Sequence, residues 1–129
     1  MADQRKDIRN YDDLLAWQKG RALVKAVYLA TRKFPAEEQY GLMQQLRRAA
    51  VSVPSNIAEG FGRGARNDYM RFLRVARGSL YEIQTQLILA QDLGFLTEGS
   101  TSGLMQQASQ CSQLLHGLLR SLAKAGASR

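Results

Sequence analysis

Between Tyr69 and Ala90 the apolar residues return in alternating steps of four and three: Tyr69, Leu73, Ala76, Leu80, Ile83, Leu87 and Ala90. That period belongs to a helix burying one narrow stripe against other helices. A strand, whose faces alternate every second residue, cannot carry it. Such a helix draws most of its stability from packing, so the chain must supply partners.

It supplies three. Ala16, Gly20, Leu23, Val27, Ala30 and Phe34 form one stripe; Leu46, Ala50, Val53 and Ile57 a second; Leu104, Ala108, Cys111, Leu115, Leu118 and Leu122 a third. The spacing predicts helices over about 13–33, 38–60, 67–93 and 102–123, with no strand. Punctuation agrees. Asp12 or Asp13 suits the first N-cap and Pro35 stops that helix; Glu37 and Glu38 suit the second N-terminus; Gly94 followed by Phe95 suits a Schellman stop. The links "FPAE", "GFGRGA" and "GFLTEGSTS" are short, which favours antiparallel neighbours. The fold class is therefore all-α, an antiparallel up-down-up-down four-helix bundle over 13–124, with a charged arm at 1–12 and a frayed tail at 125–129. Pro54 falls inside the second stripe without breaking its phase, which predicts one helix kinked there; the alternative is two helices parted at Ser52–Val53. Leu14, Leu15, Ala26 and Leu29 in the first helix, with Met105, Leu114 and Leu119 in the fourth, widen the apolar arcs beyond a bundle seam. A thick core or a self-association surface would use them, and the arcs favour self-association.

Charge is concentrated in the middle. The chain carries a net +7, and residues 41–80 hold seven arginines against two acids, a local balance of +5. Helix geometry turns Arg48 and Arg71 directly away from their seams and Arg74 well outside, with Arg47 and Arg77 flanking the core and Arg63 and Arg66 in the connection. A band of guanidinium groups suits phosphate, which the planar fork grips with two hydrogen bonds. The competing reading is a solvated face with internal pairs to Glu59, Asp68 or Glu82.

Other chemistries lack their parts. Gly60, Gly62 and Gly64 have neither a preceding strand nor a Gly-Lys-Ser/Thr ending, so they read as a turn and not a phosphate loop. Ser52, Ser55, Asn56 and Glu59 have no histidine near in sequence and read as backbone or cross-helix partners. His116 shares a polar stripe with Gln113 and Arg120 and reads as exposed; Cys111 sits in a seam as a small buried residue; Trp17 reads as a core or interface anchor. No catalytic, metal or cofactor site is expected, and the chain reads as non-enzymatic. The lone cysteine, the absence of a signal-like N-terminus and the lack of an apolar run near about 18 residues fit a cytoplasmic protein without membrane contact.

The segments "LAWQK" (15–19), "GLMQQLRRAAVSVPSNIAEGFGR" (41–63) and "DYMRFLRVARGSLYEIQTQL" (68–87) resemble the bacterial four-helix bundle family of 23S rRNA intervening-sequence proteins, over about residues 12–122. A related branch comprises the accessory variability proteins of diversity-generating retroelements, pentameric bundles that engage nucleic acid and a reverse transcriptase. The resemblance implies a homo-oligomer, most simply a pentamer, with a basic surface for nucleic acid, RNA in the first place, and a nucleic-acid-processing protein as a further partner. Arg47, Arg48, Arg63, Arg71, Arg74 and Arg77 lie in the matched segments, and Arg66 in a more variable turn. Two positions depart. Ala65 stands where a Ser N-cap is usual, which predicts a later start with Asn67 as cap, and "TEGSTSGLMQQASQ" is less acidic than expected. The alternative function is a structural homo-oligomer or protein-interaction scaffold with no nucleic-acid ligand.

Overall fold

A computed structural model of the protein describes residues 8–127. Within them lie four long helices and no strand: α1 (Leu15–Thr31), α2 (Leu42–Arg63), α3 (Arg66–Asp92) and α4 (Glu98–Ala127). The main contacts run α1–α2, α2–α3, α3–α4 and α1–α4, which closes the helices into a bundle. Gln45 meets Gln86, Ser52 meets Ser79, and Gly60 lies against Phe72. Numbers fall along α3 as they rise along α2, so these two helices run antiparallel.

The expected stripes form the core. Leu23, Leu46, Val53, Ile57, Leu73, Leu80, Ile83, Leu87, Cys111 and Leu115 are all but inaccessible to solvent. One register differs. Leu118 is only partly buried and Leu119 takes its place, because a third step of four after Leu115 follows the drift of a straight helix relative to a strict heptad. Of the residues thought to widen the arcs, Leu14 is also core, while Leu15 and Leu29 are exposed and Met105 and Leu114 lie at its margin.

The helix ends show what the sequence pattern missed. Asp13 does not cap α1; with Asn10 it forms a capping box on a 3-10 turn, Tyr11–Asp13, and α1 begins at Leu15. Residues 36–38 form another 3-10 turn, and the Glu38 carboxylate accepts the Leu42 N–H at 2.9 Å, so α2 starts four residues later than expected. At the other end α2 runs through Gly60 and Gly62 to Arg63, leaving Gly64, at φ 81°, and Ala65 as the link to α3. Ala65 is the N-cap of α3 without a side-chain bond, and Asn67 lies inside the helix. The Schellman stop is formed as expected: Phe95 N–H donates to the Ala90 carbonyl at 2.8 Å and Gly94 N–H to Gln91. Thr97 Oγ1 then accepts the Ser100 N–H, which starts α4 at Glu98 and not near 102. The helix continues to Ala127, so 125–127 are helical; residues 1–7 of the expected arm and 128–129 of the expected tail lie outside the described residues.

Pro54 sits inside an unbroken α2. A Cβ added to Gly20 of α1 would come within 3.2 Å of a Val53 methyl and 3.5 Å of the Pro54 ring. The proline thus faces the one position of α1 that has no side chain to obstruct it.

Candidate nucleic-acid interface

The contacts of α2 define two sides. Ser52, Gln45 and Gly60 face α3; Gly20 and Thr31 of α1 meet the opposite side. At about 100° per residue this divides the arginines. Arg48 and Arg63 fall on the α3 side and Arg47 on the α1 side.

Arg47 is tied inward. Its Nε donates to Thr31 Oγ1 at 2.8 Å, another nitrogen to the Tyr28 carbonyl at 3.3 Å, and its guanidinium lies 4.5 Å from the Tyr28 ring centre. It serves the carbonyl end of α1, where a cation is favoured. Arg66 does the same for α4, donating to the Leu122 carbonyl at 3.5 Å and to the Met70 sulfur; a Cβ on Gly126 would strike this guanidinium.

Arg63 and Arg71 are brought together. Both lie over the Phe72 ring, at 5.0 and 4.4 Å from its centre, one from each helix beside the two-residue link. Each has an acid: Glu59 at 3.2 Å from Arg63 and Asp68 at 3.6 Å from Arg71. These exposed pairs contribute little stability. Phe72 is the platform that the sequence reading overlooked; its signal is an aromatic residue one step before the seam residue Leu73, opposite a glycine.

Arg48, Arg74 and Arg77 stand apart. None has a hydrogen-bond or ion-pair partner among the described residues; Arg48 and Arg74 are exposed and Arg77 is half-buried. Arg48 is fifteen residues from Arg63, roughly 22 Å along the helix at about 1.5 Å per residue. Arg74 and Arg77 turn toward the α4 side of α3. The seven arginines therefore form no single continuous band.

The α2–α3 seam is polar from Gln45 to Asn56, on the way to the Phe72 platform. Ser52 and Ser79 hydroxyls meet at 2.8 Å, and Asn56 Nδ2 donates to both the Ser52 carbonyl and its hydroxyl. Gln86 Nε2 donates to Gln45 Oε1 at 3.5 Å and Glu82 Oε2 at 3.4 Å. Phe72, Ser79 and Gln86 repeat every seven residues along α3, which is the sequence signal for this seam.

The catalytic candidates behave as side chains of a bundle. Cys111 is buried, its thiol 3.6 Å from the Ala16 carbonyl, and burial pushes it up to about 11. His116 is not exposed as expected: it is half-buried, with Nε2 enclosed and without a partner. Trp17 packs edge-on to Tyr11 at 5.2 Å. Among the described residues no three His, Cys, Asp or Glu side chains converge on a point, and no helix is long and apolar enough to cross a membrane.

Comparison with known proteins places this bundle. A crystal structure of a protein with unknown function from the S23 ribosomal protein family of Bacteroides thetaiotaomicron superposes with a TM-score of 0.75, covering 82% of this chain and 96% of that one. At 19% identity this likeness speaks to the fold alone. A search of curated proteins finds no match. The family model of the 23S rRNA-intervening sequence protein matches residues 12–117, which takes in α1, α2, α3, the seam between them and most of α4. The chain belongs to the 23S rRNA-intervening sequence protein family.

Proposed function

We propose that this protein is a non-enzymatic, cytoplasmic adaptor that binds RNA phosphate through arginines of α2 and α3. One observation carries the reading: Glu59 and Asp68 are engaged by Arg63 and Arg71, which leaves Arg48, Arg74 and Arg77 without a neutralising partner among the described residues. Fixed cations without internal partners attract a polyanion, and the free charge lies where the +5 balance of residues 41–80 lies. Arg63 and Arg71, held over Phe72, join them by exchanging weak acid pairs for phosphate. Arg47 and Arg66 contribute charge from positions set by α1 and α4.

The adaptor acts as a homo-oligomer, with the pentamer as the count the resemblance implies. Exposed apolar side chains support this: Tyr81 and Ile88 of α3, Leu93 at its C-cap and Leu29 of α1 are each about half or more exposed in the single chain. Repetition of modest phosphate contacts around a closed ring adds through avidity. A nucleic-acid-processing protein is the further partner such an adaptor would serve.

The test measures RNA and DNA binding at low and high salt, for the wild type and an Arg48/Arg71/Arg74→Ala variant of unchanged assembly state. Wild-type affinity should fall steeply with salt, and the variant should bind less tightly with a shallower salt slope. Equal binding by the two proteins overturns the phosphate reading and leaves a structural homo-oligomer. Light scattering tests the assembly, and a monomeric mass overturns it.

A further inference from the structure

A polar cavity of about 330 Å³ opens in the α2–α3 seam, lined by Gln45, Arg48, Ala49 and Ser52 from α2 and by Ser79 and Glu82 from α3. Ala49 is its only apolar lining residue. Its volume lies at the small end of ligand sites, which run about 300–1,000 Å³, and suits one planar group.

Arg48 and Glu82 line the same cavity without forming an ion pair. Opposite charges that share a space and do not meet keep their hydrogen-bonding capacity for an occupant. Gln86 holds one Glu82 oxygen, Oε2, and leaves Oε1 without a donor among the described residues. Ser52 and Ser79 spend hydroxyl capacity on each other at 2.8 Å. Being small, they also keep the cleft open. The network behind the cavity is incomplete: Gln86 is 5% exposed, and its Oε1 has no partner. Apolar side chains at these seam positions would pack without that cost, so stability does not explain the polarity.

We propose that this cavity takes the base of an unpaired guanine in single-stranded RNA. The inference rests on the RNA-binding reading and names what that surface selects. Guanine alone among the four bases presents two adjacent N–H donors beside two acceptors, O6 and N7. A carboxylate matches the donor pair N1–H and N2–H, and a guanidinium fork matches the acceptors. Adenine turns a lone pair toward the carboxylate at the same place and is rejected. Arg48 and Glu82 are the two groups and Gln86 positions Glu82; with the Arg48 fork on the base, the phosphate contacts fall to Arg63, Arg71, Arg74 and Arg77.

Fluorescence anisotropy with two single-stranded RNAs of equal length tests this, one carrying isolated guanosines among uridines and the other adenosines in their place. The wild type should prefer the guanosine RNA by roughly tenfold, the scale of one good bidentate contact. Glu82→Gln should bring the two affinities together, since an amide cannot accept from both donors. The variant also gains one unit of positive charge. If Glu82 acts only as a nearby negative charge, both RNAs bind more tightly and their ratio stays as it was, which overturns the proposal. Equal wild-type binding of the two RNAs overturns it too, and leaves phosphate binding standing. If neither RNA binds, the RNA-binding reading fails, and equilibrium dialysis against guanosine and adenosine monophosphates decides for the cavity. Retention of the guanosine nucleotide by the wild type and not by Glu82→Gln supports it; equal retention, or none, overturns it.

Discussion

Gly60 of α2 lies so close to Phe72 of α3 that a Cβ on the glycine would stand 2.8 Å from the Phe72 Cβ and 3.1 Å from the Tyr69 carbonyl oxygen. Real Cβ atoms do not approach like that, so the two helices meet backbone to backbone here. Gly60→Ala should gain helix propensity and still lose stability, by about 1–3 kcal/mol, because α3 must move. Gly78, inside α3 with nothing within 4 Å of a Cβ, provides the contrast. Gly78→Ala should stabilise by about 0.5–1 kcal/mol. Urea unfolding of both variants checks the pair of signs, and a neutral Gly60→Ala would mean the helices are not in contact there.

The seam itself predicts larger costs. Leu80 is inaccessible to solvent and Leu87 is 1% exposed. Truncating either to Ala removes packing on all sides and should cost about 2–5 kcal/mol. Losses under half a kcal/mol at both, in the same unfolding measurement, would contradict the core assignment.

Tyr69 gives a pH dependence. Its hydroxyl is enclosed without a hydrogen-bond partner, and burial pushes it up to about 12. In the unfolded chain it titrates near 10. Between those values the unfolded state releases a proton that the folded state retains. This contribution to stability is therefore intact below about pH 10 and lost as pH rises toward 12. Tyr69→Phe removes both the titration and an unsatisfied buried hydroxyl, a burden of about 1–3 kcal/mol. The variant should melt no lower than wild type at neutral pH and lose less stability under alkaline conditions. A clear drop at neutral pH would show that the hydroxyl has a partner.

Cys111 reports on opening of the core. The thiolate is the reactive form, and the buried thiol is raised to about 11. A thiol reagent at mildly alkaline pH should label the native protein slowly and the urea-unfolded chain quickly. Native labelling as fast as unfolded labelling would place the side chain at the surface.

The four stripes were legible because helix packing leaves its period in the sequence: Leu23, Leu46, Leu73 and Leu115 fall at expected positions and are fully buried. Helix ends were harder, since they depend on single side-chain bonds. Glu38 serves the Leu42 N–H from within a separate turn, and Thr97 starts α4 early. Gly60 was misread as part of a turn. A glycine chosen for close approach and one chosen for positive φ look alike in sequence, and Gly64 is the one with φ of 81°. The arginines were legible as charge and illegible as geometry. Arg47 and Arg48 are neighbours in the chain, yet one closes on α1 and the other lines the α2–α3 cavity, because successive helical residues differ by about 100°.

The two-residue link between α2 and α3 also bears on the order of assembly. Closing so short a connection costs the chain little entropy, and the α2–α3 contact is the most extensive among the described residues. Contact between α1 and α4, by contrast, requires residues as far apart as Ala16 and Cys111 to find each other. The hairpin is therefore the natural folding nucleus, with the first and last helices docking onto it afterwards. Mutations across the Gly60–Phe72 contact should slow folding, whereas those at the Ala16–Cys111 contact should chiefly hasten unfolding.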